Sequence, residues 1–194
     1  MHGLIARALQ CFLRDTYGPA LWKQVVLDAR IGVDTFEPML SYRDGEIDAV
    51  LCAASDRLDR SVASIQEDVG TYLVSHPNMR ALRRLLRFSG RDFIDFVHSL
   101  EDIPDRARLS VPDLILPAVD LRKACPGKYQ VHCAAGLPGF GAAMMGVLRA
   151  MADDYGALVV LEREAAPEGG DLLAIDLLSA DFNIGQQFDL AAGA

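Results

Sequence analysis

The stretch FIDFVHSLEDIPDRARLSVPDL, residues 93–114, decides how the chain divides. Its first part continues a helix that starts near Asp92, after the Ser89-Gly90 break, and runs to about Ile103. Pro104 is predicted to close that helix, because its ring removes a backbone donor and clashes with the preceding turn. Beyond it, Leu109 to Val119 is apolar but carries Pro112 and Pro117. Proline cannot donate to a ladder, so an extended segment is predicted there rather than a regular central strand.

Outward from Pro104 toward the N-terminus, the pattern is helical apart from a loop around Gly32 to Pro38. Leu4, Ile5, Ala8, Leu9 and Phe12 share one helical stripe, and Tyr17-Gly18-Pro19 ends that helix and opens a second one carrying Leu21, Trp22, Val25 and Val26. A third helix is predicted over Ile47 to Leu58. Ser61 is an N-cap for a fourth, which His76-Pro77-Asn78 breaks. A fifth is predicted over Met79 to Phe88, with Leu82, Leu85 and Leu86 inward. Toward the C-terminus the pattern changes. Lys128 to Cys133 reads as a strand with Tyr129, Val131 and Cys133 on one face, because side chains alternate along a strand. Leu137 to Tyr155 reads as a helix stopped by Gly156. Leu158 to Glu162 and Leu172 to Leu178 read as strands joined through Glu164 to Gly170. Helices followed by a small antiparallel sheet carrying one helix make an α+β plan.

The bulk properties narrow the function. The chain has 194 residues, a formal net charge of -8 and an apolar fraction of 51%. It can bury a large core, and its negative charge argues against nucleic acid or an anionic membrane surface as partner. The four cysteines are scattered with no Cys-x-x-Cys pair, as expected of thiols in a reducing cytoplasm. The first apolar run is interrupted by Arg7, Arg14 and Asp15, and no run approaches the roughly 20 apolar residues of a membrane span. A cytoplasmic protein is expected.

No catalytic constellation stands out, and an enzyme is not expected. His132 and Cys133 are neighbours on a strand, so they face opposite sides and cannot pair as base and nucleophile. Gly136-x-x-Gly139-x-Gly141 lies between strand and helix, but Pro138 interrupts it and no Lys follows; a tight turn is predicted rather than a phosphate cradle. His76 is placed to cap the carbonyls of the fourth helix, and His98 to be a partly exposed helical histidine. Arg80, Arg84, Arg87 and Arg91 follow i, i+4, i+7, i+11 spacing. They form either a solvated face or a surface for an acidic partner.

The order of motifs resembles the H-NOX (heme nitric-oxide/oxygen-binding) family, the sensor domain also found in soluble guanylate cyclases. The resemblance begins at Met1-His-Gly-Leu-Ile5 and runs through Tyr17-Gly18, Trp22, Phe36, Ser41-Tyr42 and Ala53-Ala54-Ser55. It continues with Gly70-x-Tyr72, Leu85-Leu86, Ser89-Gly90, Phe93, Phe96, Leu100 and Leu109-Ser110-x-Pro112-x-Leu114, and closes with Met145-Gly146 and Tyr155-Gly156. It implies an H-NOX-like α+β fold, a helical N-terminal lobe packed on a C-terminal lobe with a small antiparallel sheet and a long helix. On that reading residues 1–182 are one domain, with lobes 1–60 and 61–182, and 183–194 are a loose tail. The resemblance also implies heme between the lobes, and a histidine kinase or cyclase-type signalling partner.

The family's heme anchors do not carry over. Without gaps, the axial histidine position falls on Pro104, and the Tyr-x-Ser-x-Arg clamp for the heme carboxylates falls on Cys133, Ala135 and Leu137. Pro117 matches a family proline that packs against heme. Leu4, Ile5, Leu9, Met144 and Met145 are the candidate pocket lining, and His98 and Cys133 the candidate atypical ligands. Two readings stand. One is a tetrapyrrole sensor with an unusual axial ligand. The other is a heme-free descendant whose pocket is filled by side chains, or takes a small apolar ligand such as a fatty acid, and whose role is protein interaction.

Overall fold

A computed structural model describes residues 1–183 and 185. The expected tail, 183–194, lies outside the described residues except at Asn183 and Gly185. Among the described residues, eight α-helices and four strands follow in chain order: α1 (Gly3–Tyr17), α2 (Pro19–Ala29), α3 (Asp44–Leu58), α4 (Val62–Ser75), α5 (Arg80–Arg87), α6 (Phe93–His98), α7 (Ile103–Ser110), β1 (Val119–Cys125), β2 (Lys128–Cys133), α8 (Phe140–Tyr155), β3 (Leu158–Ala165) and β4 (Asp171–Ser179). The sheet is antiparallel throughout, in the order β1-β2-β4-β3. This is the α+β plan read from the sequence.

The apolar side chains gather in two cores. One is built by α1, α2 and α3 with Phe36 and with Ile65 and Tyr72 of α4. The other joins Val74 of α4 to α6, α8 and one face of the sheet. That face is set by register: Tyr129 pairs with Ile175 and Val131 with Leu173, and all four are buried. α4 contributes to both cores and lies on α8. A Cβ on Gly70 would overlap the Ala143 carbonyl, and one on Gly146 would overlap the Glu67 carbonyl. Only hydrogen at those two positions lets the helix backbones approach so closely.

Four local expectations are corrected. Pro104 does not close the helical half; it sits in the first turn of α7, where its missing N–H costs nothing because first-turn donors have no intrahelical partner. β1 begins at Val119, the last residue of the segment read as extended, and runs to Cys125 through a stretch for which no strand was expected. The buried face of α1 is Gly3, Ala6, Leu9, Gln10, Phe12 and Leu13, rotated from the expected stripe. The loop before α3 presses on that face: the Gly3 amide donates to Leu40 O at 2.7 Å, and Gln10 Oε1 accepts from the Phe36 amide at 2.8 Å. Leu85 points outward rather than inward. Among the described residues no helix is long and apolar enough to cross a membrane.

Candidate functional site

The candidate site has an axial end and a clamp end. At the axial end, Pro104 is half-buried in the first turn of α7. None of the eight residues of α7 is buried. Ile103 packs against the second core, and Arg106 donates to Ser89 Oγ and to Leu85 O, tying α7 to the C-terminal end of α5. Proline offers no lone pair to a metal, so α7 presents no axial ligand at this position.

The substitute ligands lie elsewhere. His98 ends α6, is exposed, and stands edge-on to the Tyr129 ring with centroids 5.6 Å apart. Cys133 is buried at the other end of β2 from Tyr129. Four residue steps along the strand separate them, about 13 Å at roughly 3.3 Å per step. One ligand atom cannot draw on both. The Cys133 thiol is pushed up to about 12 by burial and by the charge of Asp171. It is therefore a neutral thiol, whereas a thiolate is the form that binds iron.

At the clamp end, residues 134–140 with Gly170 and Asp171 line an open cleft of about 340 Å³. Ala135 is exposed and Leu137 half-buried. The small residues bring three elements together. A Cβ on Gly141 would overlap the Asp171 side chain, one on Gly139 the Gln66 amide, and one on Gly170 the Cys133 carbonyl. Asp171 forms part of the cleft wall and is paired with Arg163 at 2.7 Å. A carboxylate stands where a carboxylate-binding clamp would be needed, and its nearest cation is already engaged. The residues present do not fit heme held by an axial side chain and a carboxylate clamp.

The remaining candidates divide between the cores. Leu9 is buried in the first, Met144 and Met145 in the second, and Pro117 is buried in the segment entering β1. Leu4 and Ile5 stay half-buried on α1. His76 does not cap carbonyls as expected; its Nδ1 accepts from the Asn78 amide, and its ring stacks on Tyr72. Sequence reasoning missed the Asp171–Arg163 pair and the Arg106 tether. The Arg106 tether joins elements that only the folded topology brings together; the Asp171–Arg163 pair spans the β3–β4 hairpin, and it was missed because Arg163 and Asp171 lay just outside the two strands as read.

With this geometry, the fold is similar to those of several solved H-NOX structures. An H-NOX protein from S. oneidensis in the Fe(II)NO ligation state has a TM-score of 0.76 at 16% identity, covering 92% of this chain and all of that one. An unliganded Fe(II) H-NOX protein from K. algicida has a TM-score of 0.76 at 16% identity, covering 97% of this chain and all of that one. A soluble guanylate cyclase of Caenorhabditis elegans, gcy-31, is 24% identical over 118 residues, 61% of this chain. The chain spans 17% of that relative's length. The haem-NO-binding (HNOB) family model matches residues 2–163. The chain belongs to the HNOB, or H-NOX, family of sensory domains.

Proposed function

We propose that this chain is an H-NOX-type signalling domain that works without heme held in the family's manner and acts through protein contact. The observation that carries this is Pro104 in the first turn of α7. The clamp end supports it independently: Ala135 and Leu137 line a cleft with the Asp171 carboxylate, and Cys133 pairs with Asp171 across the sheet. Losing one anchor leaves the other to hold the ligand; losing both removes the specific contacts and leaves apolar burial alone. In this reading residues 1–182 act as one domain with lobes 1–60 and 61–182, cytoplasmic and binding rather than catalysing. Its partner is of cyclase or histidine-kinase type, as the guanylate cyclase relative supports. A second reading, an apolar ligand such as a fatty acid against Leu4 and Ile5, rests on those side chains staying half-buried on α1.

The visible spectrum of protein purified with heme available during expression tests the main reading. The expected result is no Soret band and no stoichiometric uptake of added hemin. A strong Soret band that His98→Ala or Cys133→Ala shifts would overturn it.

A further inference from the structure

α5 is held by its joints more than by burial. None of its eight residues is buried, and Leu86 rests half-buried against the second core. The first joint is with α7: Arg106 donates to Ser89 Oγ and, at 3.0 Å, to Leu85 O. The second is with the end of α8. Arg83 donates to both oxygens of the Asp154 carboxylate, the Nε–Oδ2 bond at 2.9 Å, and Arg87 lies over the Tyr155 ring at 3.8 Å. The Tyr155 hydroxyl donates to Gly90 O at 2.9 Å. The next residue, Gly156, holds the chain that leaves β4. Its carbonyl accepts from the amides of Phe182 and Asn183 at 2.9 and 3.1 Å. Gly185 lies so close that a Cβ there would stand 2.8 and 3.0 Å from the Asp154 and Tyr155 carbonyl oxygens. Three consecutive residues, 154–156, thus carry both attachments.

The burial of Asp154 ties the two attachments together. Its side chain is 3% exposed, and a carboxylate so far from water is stable only while a cation answers it. α5 therefore cannot lift and leave the last turn of α8 as it is. Once Arg83 withdraws, the carboxylate is stranded, and the turn must open to water to solvate it. Gly156, whose left-handed backbone (φ 76°) closes that turn, moves with it, and the bonds from Phe182 and Asn183 to its carbonyl are lost. We propose that α5 is a latch between the axial helix and the chain leaving the sheet: lifting α5, with α7 attached through Arg106, strands Asp154, opens the end of α8 and releases Phe182 and Asn183. A partner that displaces α5 or α7 is thereby reported at Phe182, Asn183 and Gly185. The use of the latch as a signal rests on the protein-contact reading above; the latch itself does not.

Residue-resolved hydrogen exchange of the full chain tests it. In the parent under mild urea, the Phe182 and Asn183 amides are expected to open with the same free energy and urea dependence as the hydrogen-bonded amides of α5, as one cooperative unit. Arg83→Met is expected to speed exchange at Phe182 and Asn183 by about tenfold or more, together with α5, because it leaves the buried charge unanswered. Arg83→Met/Asp154→Leu removes the charge along with its partner. There α5 is expected to stay fast while Phe182 and Asn183 return to within about threefold of the parent, a rescue that loss of packing alone would not give. Arg106→Ala cuts the other joint, and is expected to speed α7 and leave both amides at parent rates. The proposal is overturned if Phe182 and Asn183 open independently of α5 in the parent, if Arg83→Met leaves their rates unchanged, if the double variant leaves them fast, or if Arg106→Ala speeds them as Arg83→Met does. Should Arg83→Met fail to fold, the parent and the double variant decide: a shared opening in the first that separates in the second supports the latch, and any other result overturns it. A Soret band would overturn the heme-free reading and leave the exchange comparison standing.

Discussion

α8 and α7 both belong to the half of the molecule built on the second core and are held in opposite ways. α8 buries ten of its 16 residues, and α7 buries none of its eight. α8 rests backbone-to-backbone on α4 and covers the sheet; α7 hangs on Ile103 and the Arg106 tether. The difference separates what the fold needs from what a ligand would need. The helix that packs the core is fixed by the rest of the chain. The helix at the family's axial position reaches the core through Ile103 and buries none of its residues, so a proline in its first turn disturbs little of the packing.

Breaking the α8 side has the largest expected effect. Gly146→Val places branched carbons where the Glu67 carbonyl and the Thr71 amide already lie. The helices must separate or the chain must bend, and overpacking of this kind costs about 3 kcal/mol or more. Thermal or urea unfolding followed by circular dichroism measures it. A loss under about 1 kcal/mol would mean that α4 and α8 are not in backbone contact.

A second effect, absent at neutral pH, comes from Cys133 in the second core. Its thiol is held protonated up to about 12, against an ordinary 9.0, by burial and then by Asp171. The unfolded chain therefore releases this proton first. The contribution is complete below pH 9 and is lost as pH rises from there toward 12, at up to about 1.4 kcal/mol per pH unit. Parent protein is expected to lose Tm more steeply over that window than Cys133→Ala. Equal slopes would place the thiol in solvent. Maleimide labelling gives a parallel check, with exposed Cys52 and Cys125 reacting and Cys133 protected.

The same contrast explains what the sequence made legible. β2 was readable because Tyr129, Val131 and Cys133 alternate with polar residues, and the ends of α1 and α8 because glycine stops them. β1 was not. It is an edge strand, Val-Asp-Leu-Arg-Lys-Ala-Cys, mostly exposed, and its order comes from backbone pairing with β2 that no side-chain pattern announces. α7 was hidden for a related reason. A proline ends one helix or starts another with the same geometry, and an eight-residue helix without a buried face shows no apolar period. At the site, the missing anchors were legible as residue types. The Asp171 carboxylate in the cleft was not, because β4 reaches the end of β2 only through the sheet register.

The smallest expected effect is on the α7 side, and it sharpens the contrast most. Arg106→Ala removes the bonds to Ser89 and to the Leu85 carbonyl. Both partners are solvent-accessible or have other hydrogen-bond options, so the global cost is expected at about 1 kcal/mol or less. Locally the consequence is larger, because α7 has no buried residue to replace the tether. Amide exchange across 103–110 is expected to accelerate while α8 keeps its protection, since local opening follows local burial. If protection of α8 fell along with that of α7, the two helices would belong to one cooperative unit. The axial segment would then be as much a part of the core as α8, and a proline there could no longer be counted as harmless to the scaffold.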